Sequence, residues 1–146
     1  MDRRIAAGIG LKAWFFGNLY EAVVGMPQLL ADARAARAGG LLGTGSPVRY
    51  YVPVAPLAFG ATAATLVRGW RAGGDCRAVA ATAVSTASAA ALSGYLIRSV
   101  NARLVTGGEP LGEDDRRRLV ATWHVVNGVR LGALVVAMAS LARIAR

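Results

Sequence analysis

The chain predicts an all-α fold, a four-helix transmembrane bundle, and three observations carry that prediction. First, 55% of its 146 residues are hydrophobic and its mean hydropathy is +0.43, whereas soluble domains hold about 45–50% apolar residues. Second, the apolar runs Ile5–Leu30 and Leu119–Ile144 each exceed the roughly 20 residues that cross a bilayer. Third, those runs are interrupted by Asn18 and Glu21 in one and by His124, Asn127 and Arg130 in the other. Ionisable groups in lipid face a protein interior or pair with one another, so these residues are expected to converge. Residues 1–146 form a single domain by length. Four helices of about 20 residues each leave no room for a soluble catalytic domain.

Helix one is expected over about 5–30. It follows Asp2-Arg3-Arg4, is too long for a signal-peptide core and reads as a retained helix. Pro27 can bend or stop it, which leaves Gln28–Ala38 as a short amphipathic surface segment. Gly39, Gly40, Gly43 and Gly45 then break helical structure. Helix two is expected over 53–70, with Tyr50 and Tyr51 before it at one interface and Trp70 at the other. The tight connection Arg71–Arg77 makes helices two and three antiparallel neighbours. Helix three, about 77–100, is built of Ala, Ser and Thr, whose small faces pack closely in lipid, so it is expected to be the most buried. A polar connection from Thr106 to Arg118 contains Gly107-Gly108 and places Glu113, Asp114 and Asp115 near the N-terminus of helix four, where the dipole favours acids. Helix four runs over about 119–144, and Gly128 and Gly132 offer a GxxxG contact.

A net charge of +9 does not imply nucleic acid. The arginines stand singly or in small groups at the ends of apolar runs, which suits membrane lipid headgroups, and no basic groove with interleaved aromatics is present. Lys and Arg count seven on the terminal side (3, 4, 68, 71, 77, 143, 146) and eight on the other (34, 37, 49, 98, 103, 116, 117, 118). That near balance leaves orientation open under the positive-inside rule. The acidic residues dilute the second side, so the expectation is an integral protein of the cell membrane with cytoplasmic termini. Cys76 is the only cysteine and is placed in a loop, so no intrachain disulfide forms. No Ser-His-Asp set, phosphate loop, dinucleotide fingerprint or CxxC pair occurs. Homo-oligomerisation stays open.

Trp14, Asn18, Glu21 and Gly25 share one face of helix one, and Trp123, Asn127 and Arg130 share one of helix four, with His124 three residues from Asn127. If those helices pack together, Glu21 meets His124 or Arg130. A Glu21–Arg130 pair is either a structural ion pair that sets helix register or part of a working site. His124 is either a hydrogen-bonded core histidine or a general base. A metal at His124 and Glu21 would have only those two ligands, fewer than ordinary zinc or iron sites use, so no metal or haem cofactor is expected. Arg98 either snorkels to headgroups or closes the mouth of the cavity with Asn101. Lys12 is read as snorkelling, and Arg49, Tyr50 and Tyr51 as interfacial anchors or the lining of a substrate entrance.

Four segments together resemble the anthrone oxygenase-like family of small four-helix membrane proteins. They are Asn18-Leu19-Tyr20-Glu21 followed by Pro27, Pro47-Val48-Arg49-Tyr50-Tyr51, Asn101-Ala102-Arg103-Leu104, and Trp123 to Arg130. The likeness spans nearly the whole chain, and each motif alone is short and permissive. It implies an oxygenase or tailoring enzyme of aromatic polyketides that uses neither flavin nor haem, with Asn18, Glu21, Asn101, Trp123, His124, Asn127 and Arg130 at the polar motif positions. On that reading an apolar aromatic substrate is deprotonated by His124, which Glu21 orients or charges, and the anion reduces molecular oxygen. Arg130 and Asn127 stabilise the oxyanion, Trp14 and Trp123 pack on the ring, and Asn101 contributes to substrate binding. The rival is a non-catalytic membrane protein, either a small-molecule carrier or a helical subunit held by the Glu21–Arg130 pair.

Overall fold

The computed structural model describes residues 3–35, 47–105 and 111–144, and these are almost entirely helical. The glycines at 39–45 and the Gly107-Gly108 connection lie outside the described residues.

The first apolar run is not one helix. It divides into α1 (Arg3–Val23) and α2 (Met26–Ala35). Gly25 adopts φ +65°, a conformation that costs glycine nothing, and its N–H donates back to the Ala22 carbonyl, which closes α1 with a left-handed cap. Pro27 then sits in the first turn of α2, where its missing N–H is harmless. Leu30 and Ala31 of α2 pack beneath Leu104 and Leu119, and the Asp32 carboxylate accepts a 2.9 Å bond from Arg116.

α3 spans Pro47–Arg71, so Tyr50 and Tyr51 lie within its first turns rather than before it. Pro53 and Pro56 are inside the helix. Each removes one ladder hydrogen bond, and both fall in its N-terminal half. The helix ends in a Schellman motif: Gly73 takes φ +69°, its N–H donates to the Trp70 carbonyl, and that of Gly74 donates to the Gly69 carbonyl. Asp75 then accepts from the Arg77 and Ala78 amides as N-cap of α4 (Cys76–Tyr95). Cys76 is thus the exposed first residue of that helix and not a loop residue.

α4 does not stop at 100. A π-helical turn, Leu96–Asn101, leads into α5 (Ala102–Val105). The last helix, α6, spans Glu113–Ile144 and holds Glu113, Asp114 and Asp115 in its first turn.

Among the described residues, three helical stretches are long and apolar enough to cross a membrane: Arg49–Arg71, Cys76–Val105 and Glu113–Ile144. They mark the chain as a membrane protein. α1, which carries Lys12, Asn18 and Glu21, falls short of that level. α1, not α4, is the most buried helix: seven of its 21 residues are buried, against five of 20 in α4.

α1 packs on α3 and α6, and α4 packs on α6 and α3. Close contact between α1 and α3 depends on Gly10, where an added Cβ would lie 2.7 Å from the Ala58 Cα. The buried residues of α6 are Leu119, Trp123, Asn127, Arg130, Leu134, Ala137, Leu141 and Ile144. Their three- and four-residue spacing draws a single stripe down the helix. Gly128 and Gly132 lie off that stripe, and a Cβ added to either would meet nothing within 4 Å. The GxxxG pair therefore makes no helix contact among the described residues.

Candidate functional site

Where α1, α3, α4 and α6 meet, their polar residues form one network. Arg130 is 5% exposed and its guanidinium has a partner at each nitrogen. Nε and Nη2 donate to Asn127 Oδ1 at 3.1 and 2.6 Å, Nη1 donates to Ser93 Oγ at 3.2 Å, and Nη2 reaches Glu21 Oε2 at 3.4 Å. Asn127 Nδ2 donates to the Asn18 backbone carbonyl at 3.2 Å. The Asn18 side chain accepts from the Tyr51 hydroxyl at 2.8 Å, and that hydroxyl also interacts with Glu21.

Beside this network lies a partly enclosed cavity of about 260 Å³. Trp14, Phe59 and Trp123 supply its large apolar walls, while Glu21, Tyr51 and Arg130 supply its polar side. Trp14 meets Phe59 edge-to-face with ring centroids 5.1 Å apart. Phe59 and Ile97 line the cavity yet remain partly exposed on the outer surface, so it opens sideways between α3 and the continuation of α4. Such an opening faces lipid if those helices span a membrane.

Asn101 is the last residue of the π-helical turn and also lines the cavity. It is 8% exposed, and its Oδ1 has no hydrogen-bond partner among the described residues. A buried carbonyl left without a donor costs free energy, and π-helical turns recur at functional sites.

The expected convergence is present for Trp14, Glu21, Asn101, Trp123 and Arg130, which all line the cavity. Asn18 and Asn127 stand behind that wall and hold Tyr51 and Arg130 in place. His124 is the correction. It is exposed, touches the ring of its neighbour Trp123 edge-on with centroids 5.2 Å apart, and is absent from the cavity wall. At about 100° per residue, His124 lies about 100° around α6 from Trp123, off the buried stripe. The structure therefore does not bring it to Glu21, either as base or as metal ligand. Among the described residues no three His, Cys, Asp or Glu side chains gather as a metal site.

Tyr51 and Ser93 complete the network, and sequence reasoning misses both as members of it. Tyr51 belongs with Ala55 and Phe59 on one face of α3, a signal visible once the helix begins at Pro47. Ser93 sits among the small residues of α4, where nothing in the sequence separates it from its neighbours. Arg98 is exposed and is not part of the cavity wall.

Comparison with known proteins adds no relative: no family model, no curated protein and no solved structure matches the chain.

Proposed function

We propose that the protein is a four-span helical bundle of the cell membrane, with α1 as its fourth span and cytoplasmic termini, and that its cavity is the site of a cofactor-independent oxygenase. The substrate is a flat, apolar, polyketide-like aromatic molecule. One observation carries the reading: a carboxylate–guanidinium pair and three large aromatic side chains share one partly enclosed space. The volume lies just below the range of small-molecule sites, which starts at about 300 Å³. The resemblance to the anthrone oxygenase-like family supports the same chemistry.

The base in this proposal is Glu21, because His124 lies off the cavity wall. Glu21 takes a proton from a substrate CH₂ conjugated with a carbonyl, and the negative charge passes to that carbonyl oxygen, which Arg130 and the Tyr51 hydroxyl hold. The carbanion reduces molecular oxygen to a hydroperoxide on the same carbon. Loss of water then leaves a new carbonyl, so one CH₂ and one O₂ become one C=O and one H₂O. Asn101 Oδ1 accepts from a hydroxyl or N–H on the ligand's far edge.

The test is oxygen uptake by the reconstituted protein with an anthrone-type substrate. Glu21→Gln should lower it by about 10²–10⁴-fold, the usual contribution of a positioned base; undiminished uptake removes Glu21 from the chemistry. A second reading, a non-catalytic carrier or helical subunit, is favoured by the fact that every Arg130 nitrogen already has a partner. Quenching of Trp14 and Trp123 by a ligand that consumes no oxygen would select the carrier. Reporters fused to each end test topology, and opposite sidedness would sink the four-span arrangement.

A further inference from the structure

The end of the molecule formed by the α3–α4 turn and the C-terminus of α6 carries arginines that no carboxylate among the described residues answers. Arg68 and Arg71 occupy the last turn of α3, Arg77 opens α4, and Arg143 lies in the last turn of α6. The three helices meet there, since Ala78, Val79 and Ile144 form one apolar cluster with Leu66 packed against it. All four arginines are exposed, and none has an ion pair among the described residues. Asp75 is the one acidic residue in the turn, and it is occupied as the N-cap of α4.

The opposite end is different. There Arg116 pairs with Asp32, and Arg117 with Glu113 and Asp114. Among the described residues, two arginines at that end are thus paired with acids, whereas none of the four at the α3–α4 end is.

At that end an open, almost wholly apolar groove of about 320 Å³ is lined by Leu66, Val67, Trp70, Arg71 and Val79. Trp70 is 64% exposed, as suits an indole at the headgroup level of a bilayer. Arg71 is the one charged residue among those described that line the groove, and its guanidinium matches a phosphate's geometry. An apolar channel that ends at a tryptophan and an arginine fits a molecule with a hydrocarbon chain and an anionic head.

We infer that this groove binds an anionic phospholipid, with an acyl chain along Leu66, Val67 and Val79 and the phosphate at Arg71, and that this end of the protein therefore faces an anionic leaflet. Arg68, Arg77 and Arg143 supply the surrounding positive field, and Trp70 fixes the depth. This site is separate from the aromatic cavity and does not depend on what that cavity does.

Native mass spectrometry of the detergent-purified full chain, mixed with phosphatidylglycerol or phosphatidylcholine of identical acyl chains, provides the test. Phosphatidylglycerol should be retained in preference. An arginine near an anionic surface contributes about fivefold in affinity, so Arg71→Gln with Arg77→Gln should lower retention by about thirtyfold. Val67→Trp, at an exposed position, should reduce retention by filling the groove while leaving every arginine in place. Equal retention of the two lipids by the unaltered protein would overturn the proposal, and that comparison needs no variant to fold. So would full displacement by millimolar inorganic phosphate, which would make the site one for free phosphate, or unchanged retention in the arginine variant with its helical circular dichroism intact.

Discussion

Removing the charge of Glu21 tests how the buried network is balanced. Glu21 and Arg130 are 6% and 5% exposed, and taking away one partner of a buried ion pair costs about 3–5 kcal/mol because the other is left uncompensated. In Glu21→Gln the amide oxygen remains able to accept from Arg130. The bond between Arg130 and Glu21 is also the longest that the guanidinium makes, 3.4 Å against 2.6 and 3.1 Å to Asn127. The low end, about 3 kcal/mol, is therefore expected. Arg130→Leu should cost more, about 4 kcal/mol, since it isolates Glu21 and also strips the donors from Asn127 Oδ1. The double variant buries no lone charge and should cost no more than the worse single change, so the two substitutions couple by about 3 kcal/mol. Unfolding in detergent, followed by the fluorescence of Trp14 and Trp123 in the cavity wall, measures all three. A double variant whose cost equals the sum of the singles would refute the pairing, and an unchanged Glu21→Gln protein would mean that Glu21 meets water.

Further outcomes follow from the same geometry. His124→Ala should change stability by no more than about 0.5 kcal/mol, as exposed substitutions do, and leave oxygen uptake intact; a loss of turnover would return His124 to the site. Tyr51→Phe leaves Asn18 Oδ1 without its donor and should cost about 1–3 kcal/mol in the same unfolding assay, a result that a surface tyrosine would not give. Gly10→Ala forces a Cβ to within 2.7 Å of the Ala58 backbone and should destabilise by about 1–3 kcal/mol. Gly8→Ala, which meets nothing within 4 Å, should be neutral or stabilising by about 0.5–1 kcal/mol; equal melting temperatures for these two proteins would mean that α1 and α3 do not touch at Gly10. Asp75→Ala removes the cap of α4 and should cost about 1 kcal/mol, read as lost helicity on heating.

The network is legible in the sequence where the helical period alone decides direction. Trp14, Asn18 and Glu21 repeat at four and three residues, as do Trp123, Asn127 and Arg130, and each set faces inward as that spacing requires. His124 shows the limit of the same reasoning. It lies three residues from Asn127, but the buried stripe of α6 is centred on the line through Trp123, Leu134 and Leu141, and only the whole helix shows that. The break after Val23 has both its signals in the sequence, Gly25 and Pro27. Which of them ends the helix depends on the left-handed φ of Gly25, a backbone property that the apolar pattern around it does not carry. The π-helical turn has no sequence signal at all, because Leu96–Asn101 is ordinary helix-forming chain.

The small residues of α4 predict a tightly packed helix; α4 packs that way along α6 but meets α3 far less, and the cavity shows why. Small side chains bring helices together only when the opposing surface is also small. Ala90, Ser93 and Gly94 share the cavity with Trp14, Phe59 and Trp123, while Ala55 lies on the same wall as Phe59. Rings of that size keep α3 away from α4, and the alanine and glycine positions are too short to fill the gap. A Cβ added at Gly94 would still meet nothing within 4 Å. The void is thus written into the pairing of bulky α1, α3 and α6 positions with minimal α4 positions, and the Glu21–Arg130 pair borders it because both lie on the inward stripes of their helices. Filling it from the α4 side, for instance with Gly94→Leu, should remove ligand binding while leaving the ion pair and the unfolding free energy within about 1.5 kcal/mol of the parent. A Gly94→Leu protein that still binds an aromatic ligand with unchanged affinity would place the binding site elsewhere.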